Sequence, residues 1–361
     1  MTVPKRAGRG GPPLRRPASL IWLALAAGLT ALFVLELMLG SVRIPIGQVA
    51  RILVGLAPQR ASWRTIILLF RLPRALTAFL AGAGLAVSGL QMQTLFHNPL
   101  AGPSILGIGS GASLGVALVV LTATTTDASR YLDGLGLGGE LATVIAAGAG
   151  STAVLLLVLA ASRRVKSVVT LLILGLLFGY ATSAVVSILM HFSIAERIQV
   201  YISWTFGSFG GTTWRQLSLF IPMVLAALLA TQLSRKPLNG LLLGESYARS
   251  MGLHVRRARG IIIITTAILT GTITAFCGPI GFLGVAVPHL ARSVLSTSDH
   301  RVLLPASALF GALIAVASDL VAQLPGSQTV LPLNAVTAII GAPVVGWVIL
   351  RRRALRETFS R

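Results

Sequence analysis

Apolar residues in this chain come in long blocks, each about twenty residues, parted by short breaks rich in Arg, Lys, Gly and Pro. The blocks place spanning segments near 19–40, 74–95, 104–122, 141–161, 168–190, 216–233, 260–277, 280–295, 304–323 and 335–350. That length suits helices crossing a hydrocarbon core, whereas a barrel would show period-two alternation in short segments. The predicted fold is an all-α polytopic membrane protein with about ten transmembrane helices. Glycines crowd the second block (Gly82, Gly84, Gly89) and the third (Gly107, Gly109, Gly111, Gly115), where they permit close helix packing. The implied division is a tail at 1–18, a membrane domain at 19–353 and a second tail at 354–361.

Composition supports this pattern. At 55% hydrophobic and 11% charged, the 361 residues carry too little polar surface to coat a soluble globule. A net charge of +21 raises nucleic acid as a partner, but the basic residues cluster between apolar blocks, so topogenic charge fits better. Of the 30 Lys and Arg, 21 lie in the N-terminal tail, at Arg163 to Lys166, from Arg235 to Arg259, at Arg292 and Arg301, and from Arg351 to Arg361. The positive-inside rule puts these segments and both termini on the cytoplasmic side of the cytoplasmic membrane. The first block follows five basic residues as in a signal peptide, yet it is too long for one and precedes further spans, so an uncleaved helix is expected. The single Cys277 excludes a disulfide framework, and no Cys/His set has metal-ligand spacing.

Of the nine basic residues that remain, six, namely Arg43, Arg51, Arg60, Arg64, Arg71 and Arg74, crowd the outer segment between the first two spans. For the first four, snorkelling to lipid headgroups and contact with a partner are equal readings. Arg71 and Arg74 flank Pro73 at the start of a span and read as a fixed basic knob for an acidic docking partner. On the inner side, the segment about 235–258 is too polar to span. Pro237, Gly240, Gly244 and Gly252 allow two short helices joined by a sharp turn, with Leu241, Leu242, Tyr247 and Met251 as an apolar face for a partner groove or the membrane surface.

Asn98-Pro99 and Pro103 resemble a helix break, whose freed backbone groups must be paired by protein or line a cavity. This marks Asn98 and Pro99 as gate candidates, with Met92, Gln91, Ser110, Ser113 and the small residues around Gly179 as path candidates. Asp319, deep in the ninth span, is functional by default, with a bond to Ser318 or a neighbouring helix as the alternative. Glu36 is expected to reach water, and His289 to pack and bond near the inner end of its span. Trp204 to Gly211, with Trp214, fits an outer interfacial segment.

Several ordered motifs then carry a resemblance. They are Arg71-Leu-Pro-Arg74, Gly82 to Gln93 with Asn98-Pro-Leu-Ala101, Leu243 to Gly252, Gly281 to Arg292, Asp299 to Pro305, and Gly341-Ala-Pro343. Together, from about Trp63 to Arg353, they resemble the FecCD family, the permeases of siderophore, haem and vitamin B12 importers. The resemblance implies a type II ABC importer bundle like that of the vitamin B12 permease, pairing with a second copy or a sibling. Two cytoplasmic ATPase subunits would lie on one side and a soluble or lipid-anchored binding protein on the other, with no nucleic acid involved. It implies no cofactor on this chain and no enzymatic role; ATP and Mg would be used by the partner ATPase. The chain itself has no glycine-rich phosphate loop ending in Gly-Lys-Ser or Gly-Lys-Thr.

By motif, Arg71 and Arg74 would pair with acids on the binding protein, and Leu241, Gly244, Glu245, Ala248, Arg249 and Gly252 would couple to the ATPase. Gln323 and Val330 depart from members that carry Arg and Glu there, and Leu331 to Thr337 looks closer to siderophore members, so a ferric siderophore is the expected cargo. Haem or vitamin B12 is the alternative. An ion-coupled secondary transporter would need midplane acids beyond Asp319, and a membrane enzyme would need a nucleophile with its base; the histidines are scattered, mostly at span ends.

Overall fold

Each of the ten apolar blocks forms a helix. The computed structural model describes residues 18–122, 139–165, 168–327 and 329–359, and every regular element among them is helical. In chain order these are α1 (Ala18–Met38), α2 (Ile46–Leu53), α3 (Ala61–Leu95), α4 (Ile108–Thr122), α5 (Gly139–Arg164), α6 (Val168–His191) and α7 (Ala195–Thr205). There follow α8 (Trp214–Leu233), α9 (Arg235–Leu242), α10 (Glu245–Ser250), α11 (Val255–Cys277), α12 (Leu283–Leu295), α13 (His300–Ala322) and α14 (Leu333–Phe359). Among the described residues, α1, α3, α5, α6, α8, α11 and α13 are long and apolar enough to cross a membrane, while α4, α12 and the 333–347 part of α14 are shorter apolar helices. The expected tails fall largely outside the described residues, except that α14 continues through 354–359.

The second span starts at Ala61, well before the expected 74, because Ile66 to Phe70 extends its apolar run. Pro73 does not break it. A π-helical turn at Ile66–Arg71 immediately precedes this proline, which has no amide hydrogen to give to the turn before it, and the wider turn absorbs the misfit. Two short helices escaped the hydrophobic reading, α2 and α7, because each is too short and too polar to register as a span.

α3 is the centre of the bundle: every residue from Leu80 to Leu95 is buried. Its glycines explain how. A Cβ on Gly82 would lie 2.2 Å from the Gly311 carbonyl oxygen of α13, and one on Gly89 would lie 1.7 Å from that of Gly284 in α12. Only hydrogen fits in either gap, so the backbones meet almost directly. Polar side chains add directed contacts between α3 and α11, where Gln91 Nε2 donates to Thr265 Oγ1 at 2.9 Å and Thr266 Oγ1 donates to Gln91 Oε1 at 3.0 Å. In contrast, α1, α5 and α6 bury no more than about a fifth of their apolar windows (22%, 22% and 17%), so they form the perimeter.

The stretch between α3 and α4 holds only a 3-10 turn at Pro103–Leu106. Its Ala101–Pro103 and Leu106–Gly107 parts are buried in protein, while His97, Leu100 and Ser104 are exposed: Pro103 packs where a side chain on Gly284 would stand, and Pro99 O accepts a hydrogen bond from His289 Nε2 at 2.6 Å. Irregular backbone at this depth requires such cover. Replacing Gly82 by Leu should force α3 and α13 apart and destabilise the bundle by about 1–3 kcal/mol or more. Thermal unfolding of the detergent-solubilised protein checks this; a melting point equal to that of the parent would show that the close approach is dispensable.

Candidate functional site

At one end of the bundle α9 and α10 form a bracket. Gly244 joins them with φ +95°, and Gly252 closes α10 with φ +81°, both in the left-handed region where glycine is favoured. The closure is a Schellman pattern, with Leu253 N bonded to Ala248 O at 3.0 Å and Gly252 N to Arg249 O at 2.9 Å. The expected pair of short helices with a sharp turn is present. Glu245, in the first turn of α10, pairs with Arg249 at 3.2 Å and with the largely buried Arg259 of α11.

The inner face of the bracket is fixed to the bundle. Leu238, Leu241 and Ala248 are buried, and the His97 ring nitrogen Nε2 donates to Leu241 O at 2.7 Å. Asn239 Nδ2 donates to Asp299 Oδ1 at 2.6 Å, while the backbone N and Nδ1 of His300 donate to Asn239 Oδ1 at 2.9 and 2.8 Å. The other ring nitrogen of His300 bonds Thr94 Oγ1 of α3 at 2.9 Å. The Arg301 backbone N–H, and after it the Asn239 amide, hold the Asp299 carboxyl below its usual range. The outer face is apolar and exposed, comprising Leu242, Leu243, Tyr247 and Met251. This corrects one expectation: Leu241 points inward, because its turn of α9 seats on the bundle, and Leu243 takes its place in the exposed face.

The opposite end holds a buried charge cluster. Arg74 forks onto Asp319 of α13, with Nε to Oδ2 at 2.6 Å and Nη2 to Oδ1 at 2.8 Å, and Glu36 of α1 lies 4.0 Å from the same Nε. Gln323 Nε2 donates to Glu36 Oε1 and, at 3.2 Å, to Asp319 Oδ2. Arg71 donates to the carbonyls of Leu37, at 2.8 Å, and Val42, pinning the end of α1 and the loop after it.

Several expectations change here. Arg71 and Arg74 do not stand out as a basic knob; both guanidiniums turn inward, because unpaired carbonyls and two buried carboxylates lie beside them. Glu36 does not reach water but is 1% exposed. Asp319 bonds a neighbouring helix, not Ser318. Gln323 belongs to the cluster as donor to both acids. Of the six arginines between the first two spans, Arg43, Arg51, Arg60 and Arg64 remain exposed.

The motifs that place these two ends also fit one protein family, whose model, the FecCD transport family, matches residues 28–351. The chain belongs to the FecCD transport family. It is 38% identical over 281 residues to the vitamin B12 import system permease protein BtuC of Salmonella typhi, covering 78% of this chain and 82% of that one. The BtuC of Klebsiella pneumoniae is 39% identical over 293 residues, 81% and 85% of the two chains. A solved structure of an inward-facing transporter assigned to the metal-chelate ABC type superposes with a TM-score of 0.77 at 30% identity, over 92% of this chain and 99% of that one. This FecCD chain is thus a multi-pass permease of the ABC importer class, whose members work with ATPase and binding-protein partners.

The remaining candidates of the FecCD chain divide. Asn98 Oδ1 accepts from Leu100 N at 2.9 Å, so Asn98 and Pro99 form a stapled turn beside His289, which packs and bonds as expected. Met92 is fully buried in the core and Gln91 is consumed by Thr265 and Thr266, so neither lines an open path here. Ser110 is half-buried, its Oγ 3.5 Å from where a Cβ on Gly179 of α6 would stand. Sequence reasoning missed Asn239, Thr94 and His300, which tie the bracket to α3 and α13. It also missed Asn334, whose side chain joins the Thr205, Pro279 and Gly281 backbones. Their signal was available, since Asp299-His300 and Asn334 lie in the quoted motifs, but pairing between distant motifs is not written in spacing.

Among the described residues no cluster of His, Cys, Asp or Glu is placed to hold a metal ion. Asp319→Leu should take the forked partner from Arg74, leaving it only Glu36 at 4.0 Å, and cost about 3–5 kcal/mol, whereas Asp319→Leu combined with Arg74→Met and Glu36→Gln should recover much of it. Thermal melts of the two variants decide; equal losses would mean that the pair is not a coupled unit.

Proposed function

We propose that this chain is the membrane-spanning subunit of a binding-protein-dependent importer that moves a metal chelate across the cytoplasmic membrane, driven by ATP hydrolysis in partner subunits. The observation that carries this reading is the α9–α10 bracket, apolar on its exposed face and polar-bonded to α3 and α13 on the other. A partner that seats Leu242, Leu243, Tyr247 and Met251 in a cleft can turn its own closure into movement of those spans. In this reading the bracket and both termini face the cytoplasm, two ATPase subunits use ATP and Mg there, and a second copy or sibling permease completes the path. Catalysis in this reading belongs to the ATPase subunits, and the chain's part is to carry their motion to the path.

On the far side, Arg43, Arg51, Arg60 and Arg64 supply the charge for an acidic binding protein, while Arg71 and Arg74 hold the platform beneath them. Exposed charges of this kind act mainly on the encounter rate. Ferric siderophore is the first cargo, supported by the Leu331 to Thr337 segment and by the metal-chelate type of the structural neighbour. Vitamin B12 is the second, favoured by the identity with the BtuC proteins.

The test is uptake into proteoliposomes holding this chain and its candidate ATPase, with ATP inside and loaded binding protein outside, comparing ferric siderophore with cobalamin. Accumulation that requires both ATP and binding protein is expected; accumulation on an ion gradient alone would sink the importer reading. In the same assay, Tyr247→Asp should abolish ATP-driven uptake, and full uptake would remove the bracket from coupling. Arg43→Glu with Arg60→Glu should slow binding-protein association about tenfold at low salt and less at high salt, read by surface plasmon resonance. An unchanged rate would show that these arginines only face headgroups.

A further inference from the structure

Behind the bracket, where α5 ends and α11 begins, lies a pocket of about 610 Å³. Its walls include Ser162 at the end of α5, Arg249 of α10, and His254, Arg256, Arg257 and Arg259 at the start of α11. Four arginines thus line one cavity, and Glu245 is bonded to two of them, Arg249 and Arg259. Among the described residues no carboxylate lies within ion-pair distance of Arg256 or Arg257. The volume falls within the roughly 300–1,000 Å³ of small-molecule sites, well beyond what one inorganic ion fills. Guanidiniums in such a group match the forked oxygens of a phosphate.

A second feature gives the ligand its shape. α11 is largely buried, but Ile261, Ile264 and Ile268 are exposed, and they continue from Arg257 at helical spacing as one stripe. Further along the same two helices, a cavity of about 260 Å³ opens between Leu155 and Thr152 of α5 and Ile268 and Thr272 of α11. Arg257 and Ile268 are roughly 16 Å apart along the helix axis at 1.5 Å per residue. A charged head at the membrane boundary is therefore followed by an apolar track running into the bilayer along the same helix pair. Neither free phosphate nor an acidic protein loop has that form.

We infer that this pocket binds the phosphodiester headgroup of an anionic phospholipid, with an acyl chain lying along the α5–α11 track. Basic pockets between spanning helices on the cytoplasmic side are where such headgroups bind. The inference rests on the orientation proposed above only for the leaflet concerned. With its head between Arg249 of the bracket and Arg256 and Arg257 of α11, the lipid bridges the bracket to a span that the hydrogen bonds of Asn239 do not reach.

The test uses the full chain in detergent, supplied with phosphatidylglycerol or phosphatidylcholine, with retained lipid read by native mass spectrometry. Neither ATPase, cargo nor transport is needed, so the result is independent of the importer reading. Phosphatidylglycerol should be retained over phosphatidylcholine. Arg256→Gln with Arg257→Gln should lower its retention about tenfold or more, while Arg235→Gln with Lys236→Gln, an equal loss of exposed charge outside the pocket, should leave it unchanged. Thermal melts matching the parent confirm that both variants are folded. Equal retention in the two double variants, or equal retention of the two lipids, would overturn the site. Displacement by inorganic phosphate would make the occupant a free anion, and displacement by added ATPase would make it the partner's acidic surface; either overturns the lipid.

Discussion

Helices in lipid gain nothing by hiding apolar surface from one another, because hydrocarbon surrounds them already. What remains is contact itself, and the distance at which α3 meets its neighbours decides how much of it there is. Gly82 against Gly311 and Gly89 against Gly284 bring backbones to a separation that any side chain would prevent. These two crossings, seven residues and so almost two full turns apart on one face of α3, seat α13 and α12 one after the other against it, and the Gln91 bonds then fasten α11 to it. The less buried helices can vary their lipid-facing residues freely because the centre does not depend on them.

Polar groups finish what the glycines begin. At one end Arg74 and Asp319 tie α3 to α13; at the other Thr94 and His300 do the same and add the bracket through Asn239. α3 and α13 are therefore joined at both ends and in the middle. Breaking a buried ion pair by removing one partner leaves an uncompensated charge, which is why such a pair is more costly to disrupt than it is stabilising to possess.

Hydropathy made the helices legible: all ten apolar blocks became helices, most with ends within a few residues of expectation. The bracket was legible from Pro237, Gly240, Gly244 and Gly252, which break a segment too polar to span into short helices and turns. What stayed hidden was direction. A sequence shows that Arg71 and Arg74 lie near a membrane boundary, but whether each guanidinium faces out or in depends on the Leu37 and Val42 carbonyls for Arg71 and on Asp319 and Glu36 for Arg74, all distant in the chain and met only after folding. The same holds for Leu241, whose neighbours Leu242 and Leu243 have the same chemistry and the opposite exposure.

The π turn before Pro73 has a geometric consequence. A single such turn is equivalent to one residue inserted into an α-helix, which rotates everything beyond it by about 100°. Arg60 and Arg64 lie beyond it, whereas Arg74 and all the glycine crossings lie on the other side. The heading of Arg60 and Arg64 is thus set by a register offset that the glycine crossings do not feel. One residue gained or lost between Ile66 and Phe70 would swing that surface like a dial, leaving the bundle below it in place.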